Sequence, residues 1–177
     1  MTDQTHPYPG VDLLVLDLDQ TVRGNRAANW RPPNHTGEQF IYPGIAKILA
    51  LYVEAGVPVR FATNQGGIQA GHSTVEKTEE VLDETMTLLN GEIGEDLFSL
   101  EDVKYCPSTD RSHADRKPNG GMLDDWVEEE DIRQGHDNCL YVGDRETDRQ
   151  AAMNAGYDFM WAWDFCDGVP VRPEKKR

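Results

Sequence analysis

Asp17 and Asp19 stand one residue apart where the largely apolar run 11–16 ends, so two carboxylates meet at the point where a buried strand breaks into a loop. Like charges at that spacing repel and desolvate poorly, and a divalent cation with oxygen ligands is the economical remedy. In open α/β sheets ligands sit just beyond the carboxyl ends of such strands. A second apolar run, 57–62, ends in Thr63-Asn64-Gln65-Gly66-Gly67, where a hydroxyl, an amide and flexible backbone donors follow one another and suit a phosphate. A third, 139–142, ends in Gly143-Asp144-Arg145-Glu146-Thr147-Asp148 and brings further carboxylates to an equivalent strand end. Between the second and third runs Arg116-Lys117-Pro118 offers a cationic pair stopped by proline. Each feature alone also has an ordinary reading: Thr63 as a turn residue, Lys117 as a solvated charge, Asp148 as the cap of the helix 149–155 that ends at Gly156.

The elements that must position these groups alternate between strand and helix. Ile45, Ile48, Leu49, Tyr52 and Val53 share one face of a helix within 43–56 that stops at Gly56. Ser73-Thr74-Val75-Glu76 reads as a capping box opening a helix through about residue 90, with Val75, Leu82, Met86 and Leu89 facing inward. Residues 102–106 and 157–163 read as two more strands, and 1–10 and 168–177, with the basic end Lys175-Lys176-Arg177, as loose ends. The pattern predicts one α/β domain, a three-layer Rossmann-like sandwich around a central parallel sheet.

The four segments, in this order and in this strand context, resemble the haloacid dehalogenase (HAD) superfamily of aspartate-nucleophile phosphohydrolases. The resemblance spans residues 17 to 148. The Thr63-Asn64-Gln65 triplet and Arg116-Lys117-Pro118-Asn119-Gly120-Gly121-Met122 bring it close to subclass III, which holds histidinol-phosphate phosphatases, heptose-bisphosphate phosphatases and the 3′-phosphatases of polynucleotide kinases. The resemblance implies a magnesium-dependent phosphatase in which Asp17 is the nucleophile and Asp19 the general acid and base. Thr63 and Asn64, with Arg116, would bind phosphate, and Lys117 would neutralise the nucleophile. Asp17, Asp144, Asp148 and the Asp19 backbone carbonyl would surround the metal, with Asp148 alternatively orienting Lys117 or a metal-bound water. Gln20 replaces the glycine usual before Thr21, which perturbs the turn without removing a reacting group. Residues 22–42 are too few for a helical cap, and one helix and one strand consume most of 68–116, so a capless, open site is expected.

Composition bounds the substrate. A formal charge of −15 over 177 residues opposes binding of polyanions across most of the surface. Residues 20–37 nevertheless contain no acid, and they gather Arg23, Asn25, Arg26, Asn29, Trp30, Arg31 and His35 directly after Asp19. Arginine beside an aromatic suits a single-stranded end, and Arg111, His113, Arg116 and Lys117 add positive potential. A cationic funnel in an acidic body makes a polynucleotide 3′-phosphate end, with Arg23 and Arg26 in contact with it, the favoured substrate. A small sugar or amino-alcohol phosphate is the alternative. A phosphoaspartate receiver would place a carboxylate at the end of a middle strand, where Phe61-Ala62-Thr63 has none, and a binding module without activity would not need the intact carboxylates. Cys106 and His113 bracket the loop that holds zinc in heptose-bisphosphate phosphatases, yet only one cysteine stands there, so no structural zinc is expected and that substrate is disfavoured. Three dispersed cysteines and the lack of a long apolar stretch predict a reduced, cytoplasmic protein. Trp161, Trp163 and Phe165 read as packing residues rather than a stacking platform.

Overall fold

The computed structural model describes residues 8–27, 30–133 and 135–173. Strand β1, Leu13–Leu16, is buried at every position, because it is flanked on both edges and covered on both faces. It pairs in parallel with β4, Val59–Asn64, on one side and with β6, Cys139–Gly143, on the other. Strands β5, Val103–Cys106, and β7, Asp158–Trp161, complete a five-stranded sheet in the order β5-β4-β1-β6-β7, parallel throughout. Continuous apolar runs, without the alternation of a half-exposed strand, are what such a doubly covered sheet demands.

Successive residues of β1 point to opposite faces, and the two cores divide accordingly. Leu14 and Leu16 pack with Ile45, Leu49 and Tyr52 of helix α1, Ile45–Glu54, and with Leu82, Met86 and Leu89 of α2, Val75–Ile93. Leu13 and Val15 pack with Met122, Leu123 and Trp126 of α3, Gly121–Glu129, and with Ala151, Ala152 and Ala155 of α4, Glu146–Ala155. The result is the expected three-layer sandwich. A last short helix, α5, Ala162–Phe165, follows β7 directly and truncates the predicted strand 157–163.

Several expectations need correction. The capping side chain of α2 is Thr74, which accepts from the Lys77 N–H, so Glu76 lies in the first turn and closes no box with Ser73. Val75, the first helical residue, is exposed because it precedes the stripe that meets the sheet. The chain after Asp19 forms a two-stranded antiparallel ribbon, β2, Arg23–Asn25, with β3, Gln39–Ile41. Each ribbon strand has three residues and carries polar side chains inward, which leaves no apolar period to read. The described ends are also docked. Tyr8 donates its backbone N–H to the Tyr52 hydroxyl at 3.1 Å, Val169 is buried, and Arg172 reaches Asp144. Residues 1–7, Asn29 and the basic segment 175–177 lie outside the described residues. Among the described residues no helix is long and apolar enough to cross a membrane.

Candidate active site

The carboxylates converge where β1 and β6 end side by side. The Asp17 N–H donates to the Val142 carbonyl at 2.9 Å, which fixes the β1 exit against β6. Asp144 follows β6, and Asp148 lies in the first turn of α4, where its Oδ2 accepts the Arg145 N–H at 3.0 Å. Asp17, Asp144 and Asp148 each present an oxygen within 4.8 Å of the other two, and all three are buried. The expected capping role of Asp148 is therefore met only in part. It closes the helix from inside, and its other oxygen accepts from Lys117 Nζ at 2.6 Å. Gly143 is required at this corner, since a Cβ there would fall 2.4 Å from the Asp148 Cβ.

Lys117 is buried among acceptors. Its Nζ lies 2.7 Å from Asp17 Oδ1, 2.6 Å from Asp148 Oδ1, 2.8 Å from the Tyr141 hydroxyl and 3.2 Å from the Ala62 carbonyl. Tyr141 was not among the sequence candidates, because a tyrosine inside an apolar strand run reads as core. Asn64 holds the lysine from the backbone side: its Nδ2 donates to the Lys117 carbonyl and its Oδ1 accepts the Lys117 N–H, both at 3.0 Å. Both polar ends of Asn64 are thereby engaged, so this cleft residue also positions Lys117.

The Asp19 carboxylate has its own partners outside that cluster. Oδ1 accepts from Arg23 Nε at 2.9 Å and Oδ2 from Gln65 Nε2 at 3.0 Å, and Gln65 also reaches Thr63 Oγ1 at 3.0 Å. Arg23 is the largest correction. Its guanidinium is fully buried and also donates to Thr85 Oγ1 at 2.7 Å and Gln39 Oε1 at 3.2 Å, so it bolts the ribbon to α2 and holds Asp19. It cannot touch a substrate from there. Arg26 is exposed on the ribbon turn and does not line the cleft, so the cationic funnel does not assemble as expected.

The cleft over the carboxylates encloses about 350 Å³. Asp17, Asp19, Thr63, Asn64, Arg116 and Lys117 line it, joined by His72, Thr109, Arg145 and Thr147, which the sequence reading did not select. Arg145 had a signal, its place directly after Asp144 at a strand end. His72 and Thr109 come from loops whose approach to the site is set by tertiary packing alone. Arg116 is steadied by a 2.6 Å bond from Nη1 to the Ser108 carbonyl. Cys106 Sγ, at the end of β5, lies 3.8 Å from His113 Nδ1 in the loop that follows.

Burial and neighbouring acids raise the proton affinity of two of these carboxylates, Asp17 and Asp144. Burial pushes the Asp17 carboxyl up to about 8, with Asp148, Asp144 and Asp19 adding to the rise and Lys117 opposing it. Burial raises Asp144 to about 6, reinforced by Asp148 and opposed by Arg172. The acids hold Lys117 firmly protonated in spite of its burial. Asp144 Oδ1 is buried and has no hydrogen-bond partner among the described residues. An orphaned anionic oxygen beside two more carboxylates is an arrangement that a hard divalent cation fits.

Comparison with known proteins decides the family. The family model described as polynucleotide kinase 3 phosphatase matches residues 12–165, the whole of the sheet and its helices. The chain belongs to this family, within the HAD superfamily of phosphatases. It is 32% identical over 149 residues to the D-glycero-beta-D-manno-heptose-1,7-bisphosphate 7-phosphatase of Pseudomonas putida, covering 81% of this chain and 78% of that protein. It is 27% identical to a probable D-glycero-D-manno-heptose-1,7-bisphosphate 7-phosphatase of Thermoplasma volcanium, over 75% of this chain and 84% of that protein. Among solved structures it is similar to the D,D-heptose 1,7-bisphosphate phosphatase of B. bronchiseptica complexed with magnesium and phosphate. That match has a TM-score of 0.69 and 28% identity, over 84% of this chain and 79% of the other. The chain is a phosphatase.

Proposed function

We propose that the chain is a magnesium-dependent phosphomonoesterase acting on a small phosphorylated sugar. The observation that carries the reaction is the meeting of Asp17, Asp144 and Asp148 at the carboxyl ends of adjacent parallel strands, with Lys117 bridging Asp17 and Asp148. Asp17 Oδ attacks phosphorus, and the leaving alkoxide takes a proton from Asp19. The aspartyl-phosphate is then hydrolysed by a water whose proton returns to Asp19. Gln65 and Arg23 hold the Asp19 carboxylate in place for both transfers, and Thr63, Arg116 and Lys117 bind the phosphoryl oxygens. Asp17, Asp144, Asp148 and the Asp19 backbone carbonyl would hold the magnesium ion, which supplies charge neutralisation for the transferring group.

Substrate class follows from two supports. The similar proteins are named for heptose bisphosphate, which favours the small-molecule alternative over the polynucleotide end expected from the arginine-rich segment. The burial of Arg23 also withdraws the central cation of that segment from any ligand. The lone cysteine near His113 argues against a zinc-bearing heptose enzyme, but it leaves the sugar-phosphate class open. The deciding experiment compares kcat/KM for a sugar bisphosphate and a 3′-phosphorylated oligonucleotide in magnesium. The sugar should be preferred by about tenfold or more, as expected when one substrate meets matched polar partners and the other does not. A preference for the oligonucleotide, weakened by Arg26→Ala, would reverse the assignment.

Metal uptake should depend on pH with a definite sign. Below about 8 the folded, metal-free protein keeps the proton on Asp17 that the unfolded chain would release, and Asp144 does the same below about 6. These two groups therefore make metal-free stability fall as pH rises from the ordinary carboxylate range to about 8. Magnesium must displace their protons, so its affinity rises over the same window. The shift in thermal midpoint produced by magnesium should be larger at pH 8 than at pH 6, and calorimetry in buffers of different ionisation enthalpy should detect proton release near pH 7. A magnesium shift that is flat with pH would contradict this account.

A further inference from the structure

The C-terminal segment supplies a cation that the mechanism does not use. Val169 is buried, and a Cβ on Gly168 would collide with the Pro43 carbonyl, so the chain is seated as far as residue 169. Three residues later Arg172 leans over the Trp30 ring at 5.6 Å and donates from Nη1 to Asp144 Oδ2. Asp144 is one of the three clustered carboxylates, and its side chain is almost wholly enclosed. The guanidinium is thus held in direct contact with a carboxylate beside Asp17 and Asp148, while its own side chain stays 23% exposed.

We propose that Arg172 is a tethered counter-cation that competes with divalent metal for Asp144, so that metal binding releases the C-terminal segment from Asp144 and Trp30. The inference rests on the reading of Asp144 as a metal ligand. A guanidinium and a divalent ion on one small carboxylate repel each other strongly in an enclosed site. The guanidinium is the weakly hydrated and mobile partner, so it is the one to leave. Because the coupling is reciprocal, the docked segment weakens metal binding by the same factor with which metal weakens docking. Trp30 joins the ribbon that follows Asp19 to the tail, so undocking loosens that side of the site as the metal arrives.

Mn²⁺ is a suitable probe, since its free concentration is read by electron paramagnetic resonance without turnover. At pH 8 the Arg172→Gln variant should bind Mn²⁺ at least about fivefold tighter than the parent protein, while Asp144→Asn should bind it more weakly. In the parent, Mn²⁺ or Mg²⁺ should change tryptophan emission, and that change should vanish in Trp30→Phe. Equal or weaker Mn²⁺ binding by Arg172→Gln, with Asp144→Asn weakened, overturns the tether and leaves the metal site standing. An emission change that persists in full in Trp30→Phe overturns release of the segment. Unaltered Mn²⁺ binding by Asp144→Asn overturns both the tether and the assignment of Asp144.

Discussion

Asp17→Asn should abolish turnover, lowering kcat by about 10⁴-fold or more, because it removes the group that forms the covalent bond and no neighbour can replace it. Asp19 is the nearest other carboxylate in sequence, but Arg23 and Gln65 engage both of its oxygens. Folding should survive the change. Asparagine preserves shape and can still accept from Lys117, and it removes one charge from a region where burial and neighbouring acids already push Asp17 up to about 8. The thermal midpoint of metal-free Asp17→Asn at pH 8 should therefore be no lower than that of the parent. A variant that unfolds would show that the Lys117 ion pair, rather than the chemistry, is what Asp17 supplies.

Lys117→Met should damage both folding and activity. The methionine fills much of the same channel but leaves Asp17 and Asp148 buried without their cation and strips the Tyr141 hydroxyl of its donor. Breaking a buried pair by removing one partner costs about 3–5 kcal/mol, which for a chain of this size lowers the midpoint by about 10 °C. The loss should be smaller at pH 7 than at pH 9, because Asp17 takes up a proton below about 8, and it should shrink on addition of magnesium. Activity in the surviving folded fraction should fall by about 10³-fold, the scale of removing one preorganised electrostatic partner from a transferring group. A folded Lys117→Met protein with near-parental kcat would show that the lysine acts on structure alone.

The sheet and the principal carboxylates were legible because they rest on local signals. The runs that became β1, β4 and β6 are apolar on both faces, and each ends in residues whose chemistry has no place in a core. Asp17 and Asp144 were selected for that reason, Lys117 as part of the cationic pair before Pro118, and Asp17 meets both. What failed was everything decided by distant partners. Arg23 reads as an exposed cation, yet its burial is created by Thr85, 62 residues away, and by Gln39. Asn64 reads as a ligand contact, and nothing nearby announces that the Lys117 backbone will occupy both ends of its amide. The stretch 168–173 lacks apolar periodicity, so the seat of Val169 and the reach of Arg172 to Asp144 left no trace in composition. Gln20 shows the converse. The departure from glycine was visible in the sequence, and the residue indeed adopts a left-handed φ of 66°, held by the hydroxyl of Tyr42 donating to its Oε1 at 2.7 Å.

The covalent role of Asp17 is the claim on which the mechanism stands, and trapping the intermediate tests it most directly. Enzyme quenched in acid during steady turnover, then reduced with tritiated borohydride, should carry tritium as homoserine at position 17, since an acyl phosphate on Asp17 is reduced to that residue. Tritium at another acidic position, or turnover that leaves no reducible acyl phosphate on the protein, would contradict the account.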